Sequence, residues 1–207
     1  MSKRVPKLRF KEFESDEEWE EKKLFQTGEI ITGNTPSTRN LDNYGNDFLF
    51  ISPSDINKMK YISNSKIKLS KQGFRQTRNI EEDSILFVCI GSTIGKIAKN
   101  KYKCATNQQI NSVVPYKNYH NDFIYYVLDK NATKIANIAS YHAIPIINKS
   151  EFSQFKILIP TQKEQQKIAN TLSSLDNLIE NQSKKIETLK EHKKGLMQQM
   201  FVSDEER

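Results

Sequence analysis

Two cysteines, seven glycines, six prolines, one tryptophan and three histidines are spread over 207 residues. Cys89 and Cys104 form no C-x-x-C pair and lie near no histidine cluster, so neither a disulfide scaffold nor a zinc site is indicated, and both read as buried small hydrophobes. His120, His142 and His192 are too scattered to share a metal, and no nucleophile elbow or cofactor loop of a methyltransferase is present. No apolar run approaches the roughly 20 residues that cross a bilayer, and the start MSKRVPKLRF lacks the apolar centre of a secretory signal. The expectation is a cytoplasmic, non-catalytic protein without a membrane partner.

Acidic residues are also missing from two long stretches. Residues 57–80 hold Lys58, Lys60, Lys66, Lys68, Lys71, Arg75 and Arg78 with no acid, and residues 84–121 hold Lys96, Lys99, Lys101, Lys103 and Lys117 with none. From Leu24 to Pro160 there are 17 Lys and Arg against 10 Asp and Glu, an excess equal to the net charge of +7 of the whole chain. Basic residues segregated in this way suit a polyanion, with nucleic acid first in line and double-stranded DNA among the candidates, while a solvated basic face explains the charge alone equally well.

Up to Pro160 the sequence has the grammar of an α+β domain. FLFIS (48–52), SILFVCI (84–90), INSVVPY (110–116) and FKILIP (155–160) are β-branched or aromatic runs bounded by turn residues, which predicts strands of a compact mixed sheet. NDFIYYVLDKNATKIANIA (121–139) predicts one helix capped by Asn121 or Asp122, with Phe123, Ile124, Val127 and Leu128 on one face.

Beyond Pro160 the pattern changes. TQKE (161–164) has the threonine and glutamate of a capping box. Ile168, Leu172, Leu175, Ile179, Gln182, Ile186, Leu189, Lys193, Leu196 and Met200 then follow at alternating four- and three-residue steps, a heptad seam interrupted only by Gln182 and Lys193. This predicts a long coiled-coil α-helix of roughly 55 Å that needs another helix to cover its seam. The organisation expected is a recognition domain over 1–160, a spacer or dimerisation helix over 161–202 and a disordered tail over 203–207.

CIGSTIGKIA (89–98) has the look of a phosphate loop, but Gly91 and Gly95 are one residue too close for a Walker A motif and Ile97 occupies the place of the magnesium-binding hydroxyl. It reads better as a strand-to-strand turn, its glycines at positive φ and Ser92, Thr93 and Lys96 on the rim. Other loops are rich in groups that read base edges or hold phosphates: Asn34, Thr35, Ser37, Thr38 and Arg39; Arg75, Gln76, Thr77 and Arg78; Asn107, Gln108, Gln109 and Asn111; Tyr141 and His142. Their number, with the acid-free stretches, favours a DNA-reading face over a set of ordinary polar loops. A coiled-coil scaffold with a basic head is the rival reading, and a nucleotide hydrolase built on the glycine loop ranks behind both.

PKLRF, EEWEEKKL, TGNTPS, FLFISPSDI, GSTIGKIA, TNQQINSVVP, ILIPTQKEQQKIANTLSSLDNLI and LKEHKKGLMQQMF together resemble the DNA specificity subunits of type I restriction-modification systems. The most specific element is the pattern of Pro160, Glu164, Gln165 and Asp176 leading into the long helix. The resemblance implies a non-catalytic subunit whose recognition domain reads one half of a bipartite DNA site. It implies adenine methyltransferase subunits docked around the helix, with S-adenosylmethionine bound there and no cofactor in this chain, and a motor-nuclease subunit that joins for cleavage. Family members carry two recognition domains and two antiparallel helices, whereas one of each is found here, resembling the first half. The expectation is therefore either a homodimer through the helix or a fragment that pairs with a second half.

Overall fold

The computed structural model describes residues 4–57, 59–141 and 145–201, with only the backbone of Ser140 and Tyr141. Its elements are β1 (Glu20–Lys23), β2 (Gly28–Thr32), β3 (Tyr44–Ile51), β4 (Tyr61–Ile62), β5 (Ile67–Leu69), α1 (Lys71–Arg75), β6 (Asn79–Ile80), β7 (Ile85–Val88), β8 (Ile97–Asn100), β9 (Cys104–Thr106), β10 (Ile110–Pro115), α2 (Asn121–Lys130), α3 (Ala132–Ala136), α4 (Lys149–Gln154), β11 (Lys156–Ile159) and α5 (Gln162–Met200). The chain divides into two compact units at Gln166/Lys167, within α5. The class is α+β, as the residue patterns imply.

In the first unit, two mixed sheets enclose the main core. One has the order β2-β10-β7-β8-β4 and the other β5-β3-β9-β6; β3–β9 and β4–β8 are the parallel pairs. Alternation along β3 shows why. Leu49 and Ile51 point between the sheets, to Ile62, Leu86, Val88, Ala98, Cys104 and Ile110, while Phe48 and Phe50 point to the opposite face, where Phe74 of α1 stacks on Phe48 at 3.9 Å. β7 is buried throughout, a strand covered on both faces, and its Phe87 packs against Phe152 of α4. Both cysteines are buried and free, and burial pushes each thiol up to about 12. A separate ribbon pairs β1 with β11, and the buried pair Arg9–Glu164 ties the segment before β1 to the first turn of α5.

Three local expectations are corrected. The helix over 121–139 is interrupted: α2 ends at Lys130, and Asn131 turns the chain by donating its side-chain amide to the Val127 carbonyl, after which α3 and a short 3-10 helix ending at Tyr141 follow. Neither Asn121 nor Asp122 caps α2. Its N-cap is His120, without a side-chain bond, because Asn121 donates to Asp83 and Asp122 faces Lys99 and Lys60. The capping box at 161–164 is only half formed: the Glu164 amide reaches Thr161 Oγ1 at 3.5 Å, but the Glu164 carboxylate accepts two bonds from Arg9, at 2.9 and 2.8 Å, and one from Trp19. A buried guanidinium is the stronger partner for that carboxylate.

In the second unit α5 continues as an unbroken helix. Over its 39 residues it is roughly 58 Å long. Leu175, Ile179, Gln182, Ile186, Leu189, Lys193, Leu196 and Met200 of the expected seam are exposed, while Ile168 and Leu172 are half-buried. Leu178 and Met197, also exposed, widen the stripe beyond a strict heptad. Glu180 and Lys184 form the expected i,i+4 pair at 2.6 Å. The 203–207 tail lies outside the described residues.

Candidate nucleic-acid interface

Strand register brings the polar loops to one end of the two sheets. Thr32, at the end of β2, lies opposite Asn111 near the start of β10, and Ile110 lies opposite Val88 at the end of β7. In the other sheet Thr106, which ends β9, pairs with Ile51, which ends β3, and Ala105 with Asn79 at the start of β6. The segments 33–40, 76–78, 89–96 and 107–109 must therefore emerge side by side.

Side chains join these segments into one surface. Asn34 donates to the Gln76 carbonyl at 3.0 Å and accepts from the Arg78 amide at 2.7 Å. Arg78 Nη1 donates to the Thr32 carbonyl, and Gln76 Nε2 donates to Asn43 Oδ1. Asn43 is fully buried and returns a bond to the Ser37 carbonyl, while Tyr44 donates to that of Pro36. Across the β9–β10 turn, Asn107 Nδ2 donates to Gln109 Oε1 and Gln109 reaches the Ile90 carbonyl. Thr35 Oγ1 donates to Gln108 Oε1 at 2.8 Å. At Gly33 the backbones approach so closely that a Cβ would lie 2.2 Å from the Thr106 carbonyl oxygen.

The sequence candidates thus separate into braces and exposed groups. Asn34, Gln76, Asn107, Gln109 and the Thr77 hydroxyl, which donates to the Phe74 carbonyl, hold the loops. Asn111 is withdrawn from any reading role, because it is buried on β10 and accepts from Thr32. Thr35, Ser37, Thr38, Arg39, Arg75, Ser92 and Gln108 stay on the surface, and Thr93 is half-buried. Arg39 and Arg75 carry side chains with no ion pair or hydrogen bond among the described residues. Lys96 is exposed, but its amine donates to the Ile56 carbonyl at 3.2 Å. His142 lies outside the described residues, so that nothing places it on this surface.

The glycine segment is a hairpin link between antiparallel β7 and β8, with Gly91 and Gly95 both at φ 94°. The amides of residues 91, 94, 95 and 96 donate to the carbonyls of Pro145, Gly91, Val88 and Thr93. A phosphate cradle needs those amides free, so the link is built as a turn. Among the described residues no group of three or more His, Cys, Asp and Glu is placed to hold a metal, and no helix is long and apolar enough to cross a membrane.

A charged network that sequence reading missed lies elsewhere in the first unit. Lys99, fully buried on β8, contacts Asp122 at 2.5 Å, Asp83 at 2.6 Å and the Tyr61 hydroxyl at 3.1 Å. Lys60 reaches Asp122 at 3.2 Å and the Tyr126 hydroxyl at 2.8 Å. Burial alone would push the Lys99 ammonium down, but the hydrogen bonds of Asp122 and Asp83 outweigh it and raise its pKa. Burial likewise works against the Asp122 carboxylate, and Lys99 and Lys60 overcome it and hold its pKa below the ordinary value. The available signal was positional: Asp83 and Asp122 stand immediately outside the second acid-free stretch.

Comparison with known proteins supplies the lineage. Residues 16–191 match the family model described as type I restriction modification DNA specificity domain. The MjaIX specificity subunit of Methanocaldococcus jannaschii is 28% identical over 193 residues, covering 91% of this chain and 45% of that protein. The HindI specificity subunit of Haemophilus influenzae is 33% identical over 173 residues, covering 79% and 38%. Among solved structures, the S subunit from M. genitalium superimposes with a TM-score of 0.68 at 14% identity, over 93% of this chain and 48% of that one. The HsdS subunit from Thermoanaerobacter tengcongensis gives 0.62 at 16% identity, over 80% and 39%. The chain spans about half the length, or somewhat less, of the relatives it matches. With a single family match running from the segment before β1 deep into α5, the chain belongs to the type I restriction-modification DNA specificity family.

Proposed function

We propose that this chain is a non-catalytic DNA specificity subunit whose first unit reads one half of a bipartite duplex site. The observation that carries the reading is the convergence of the 33–40, 76–78, 89–96 and 107–109 segments on one end of the two sheets, braced from beneath and leaving Arg39, Arg75, Thr35 and Gln108 exposed. Arginines without a side-chain partner among the described residues supply phosphate attraction, and loops held by their own hydrogen bonds present donors and acceptors in fixed positions, as base selection requires. Adenine methyltransferase subunits, carrying S-adenosylmethionine, and a motor-nuclease subunit are the partners that complete modification and cleavage.

The exposed stripe of α5 supports a second element of the proposal, pairing with a helix of a second copy of this chain or of a complementary half. A dimer would present two reading surfaces and select a symmetric, interrupted site. Selection from random duplex DNA with the chain and methyltransferase subunits reconstituted together tests both. Enrichment of a gapped motif is the expected result, palindromic if the dimer is a homodimer. Enrichment of no motif overturns the reading, and a monomer by light scattering at micromolar concentration overturns the homodimer.

A further inference from the structure

We infer that Thr35 and Gln108 act as one base-reading dyad, and that the base it selects is an adenine approached from the major groove. The inference deepens the proposed DNA reading and rests on it. Most amides of the loop surface are already engaged: Asn34 with Gln76 and Arg78, Asn107 with Gln109, and Gln109 with the Ile90 carbonyl. Gln108 differs. It stands exposed at the apex of the β9–β10 turn, its Oε1 accepts from Thr35 Oγ1 at 2.8 Å, and its Nε2 has no partner among the described residues.

That one hydrogen bond determines what the pair presents. A threonine hydroxyl has a single proton, and here it points at Gln108, so toward a ligand Thr35 Oγ1 offers only acceptor lone pairs. The same bond fixes the amide with Oε1 toward Thr35 and leaves both Nε2 protons as donors. The dyad therefore offers a donor beside an acceptor. On the major-groove edge adenine shows an N7 acceptor beside an N6 donor, the complementary pattern, whereas guanine shows two acceptors at N7 and O6 and would leave the acceptor of the dyad unmatched.

The geometry is held from below. The Gly33 amide donates to the Ile110 carbonyl, and a Cβ at Gly33 would sit 2.2 and 2.3 Å from the carbonyl oxygens of Thr106 and Asn107. The backbones bearing Thr35 and Gln108 are thus locked together two residues from one and one residue from the other. Pre-orientation of this kind separates a selective contact from a polar side chain that merely touches DNA.

The test is motif selection from random duplex DNA with the full chain and its methyltransferase subunits, comparing wild type, Gln108→Ala, Thr35→Val and Thr35→Ser. The expected result is loss of roughly 5- to 150-fold discrimination at a single A·T position in Gln108→Ala and Thr35→Val. Thr35→Ser, which keeps the hydroxyl, retains the wild-type preference. Affinity for non-specific DNA and its salt dependence stay unchanged, a combination that general loop damage would not give. Relaxation at a G·C position overturns the assignment of adenine. An unchanged motif in Gln108→Ala overturns the dyad while leaving DNA recognition intact, and a wild-type complex that enriches no motif overturns the reading beneath it.

Discussion

The two acid-free basic stretches look alike in sequence, yet their charges are distributed differently. In residues 84–121 three of the lysines are engaged: Lys99 is buried against Asp83 and Asp122, while on the surface Lys103 pairs with Glu81 at 2.6 Å and Lys96 binds a carbonyl. In residues 57–80, Lys60 joins the Asp122 network and Arg78 holds the Thr32 carbonyl, but Lys66, Lys68, Lys71 and Arg75 have no ion pair or side-chain hydrogen bond among the described residues. Proximity of acids in sequence accounts for part of the difference. Glu81, Asp83 and Asp122 border the second stretch and fold back onto it, whereas Asp55, which precedes the first, is held by the Ser52 amide and hydroxyl and the Lys66 amide. A run of lysines therefore indicates a polyanion surface only after the neighbouring carboxylates have been assigned.

Replacing Lys99 should break this contrast most severely. Lys99→Met takes the shared cation from Asp83 and Asp122; loss of one partner of a buried pair costs about 3–5 kcal/mol, and because Asp83 is half in solvent and Asp122 keeps Lys60 the low end, about 3 kcal/mol, is expected. Denaturant unfolding measures the loss. The salt dependence of DNA binding by the folded fraction should not change, because this lysine reaches no surface.

Asp122→Asn should cost less, about 2 kcal/mol, since Lys99 keeps Asp83. Its pH dependence has a definite sign. The carboxylate pKa is lowered in the folded protein, so its contribution is complete above its ordinary value of 3.8 and disappears as pH falls through the lower folded value. Melting curves of wild type and variant should run apart from neutral pH to about 4 and converge below. A gap that stays constant into strong acid would place the stabilisation in packing rather than charge.

Gly91→Ala comes next, at about 1–2 kcal/mol for forcing a side chain into φ 94°. Among the described residues only Gln109 Nε2, at 3.5 Å, stands near the added carbon, so the expected cost is conformational rather than steric. Thermal melts should show a modest loss, and added nucleotide should not restore it.

How far these regions were legible in the sequence follows the range of the interactions involved. The β-rich runs and heptad spacing of Leu175 through Met200 are local patterns, and strands and helix appear where those patterns fall. The break at Asn131 was hidden because 121–139 has good helical spacing, and one side-chain bond to Val127 outweighs it. Glu164 was legible as a capping residue but not as the partner of Arg9, 155 residues away. In the loop surface, residue types disclosed polar capacity without disclosing its direction. Asn107, Gln108 and Gln109 are equivalent as letters, yet only register and the closeness of Gly33 to Thr106 set Gln108 outward and turn the other two against each other.

The smallest effect on stability sharpens the comparison most. Arg75 ends α1 on the surface and has no side-chain partner among the described residues, so Arg75→Ala should change unfolding free energy by no more than about 0.5 kcal/mol. If it meets a phosphate, its removal should lower the slope of log affinity against log salt by about 0.9, weakening all sequences alike. Lys96→Ala provides the internal control. Its amine holds the Ile56 carbonyl in the folded chain, so a phosphate must compete with that bond, and the slope should fall by less. Equal slopes for the two variants would mean that the Lys96 bond yields freely to DNA, and Lys96 would then join Arg75 as binding surface. A larger effect at Lys96 than at Arg75 would reverse the assignment of the two residues.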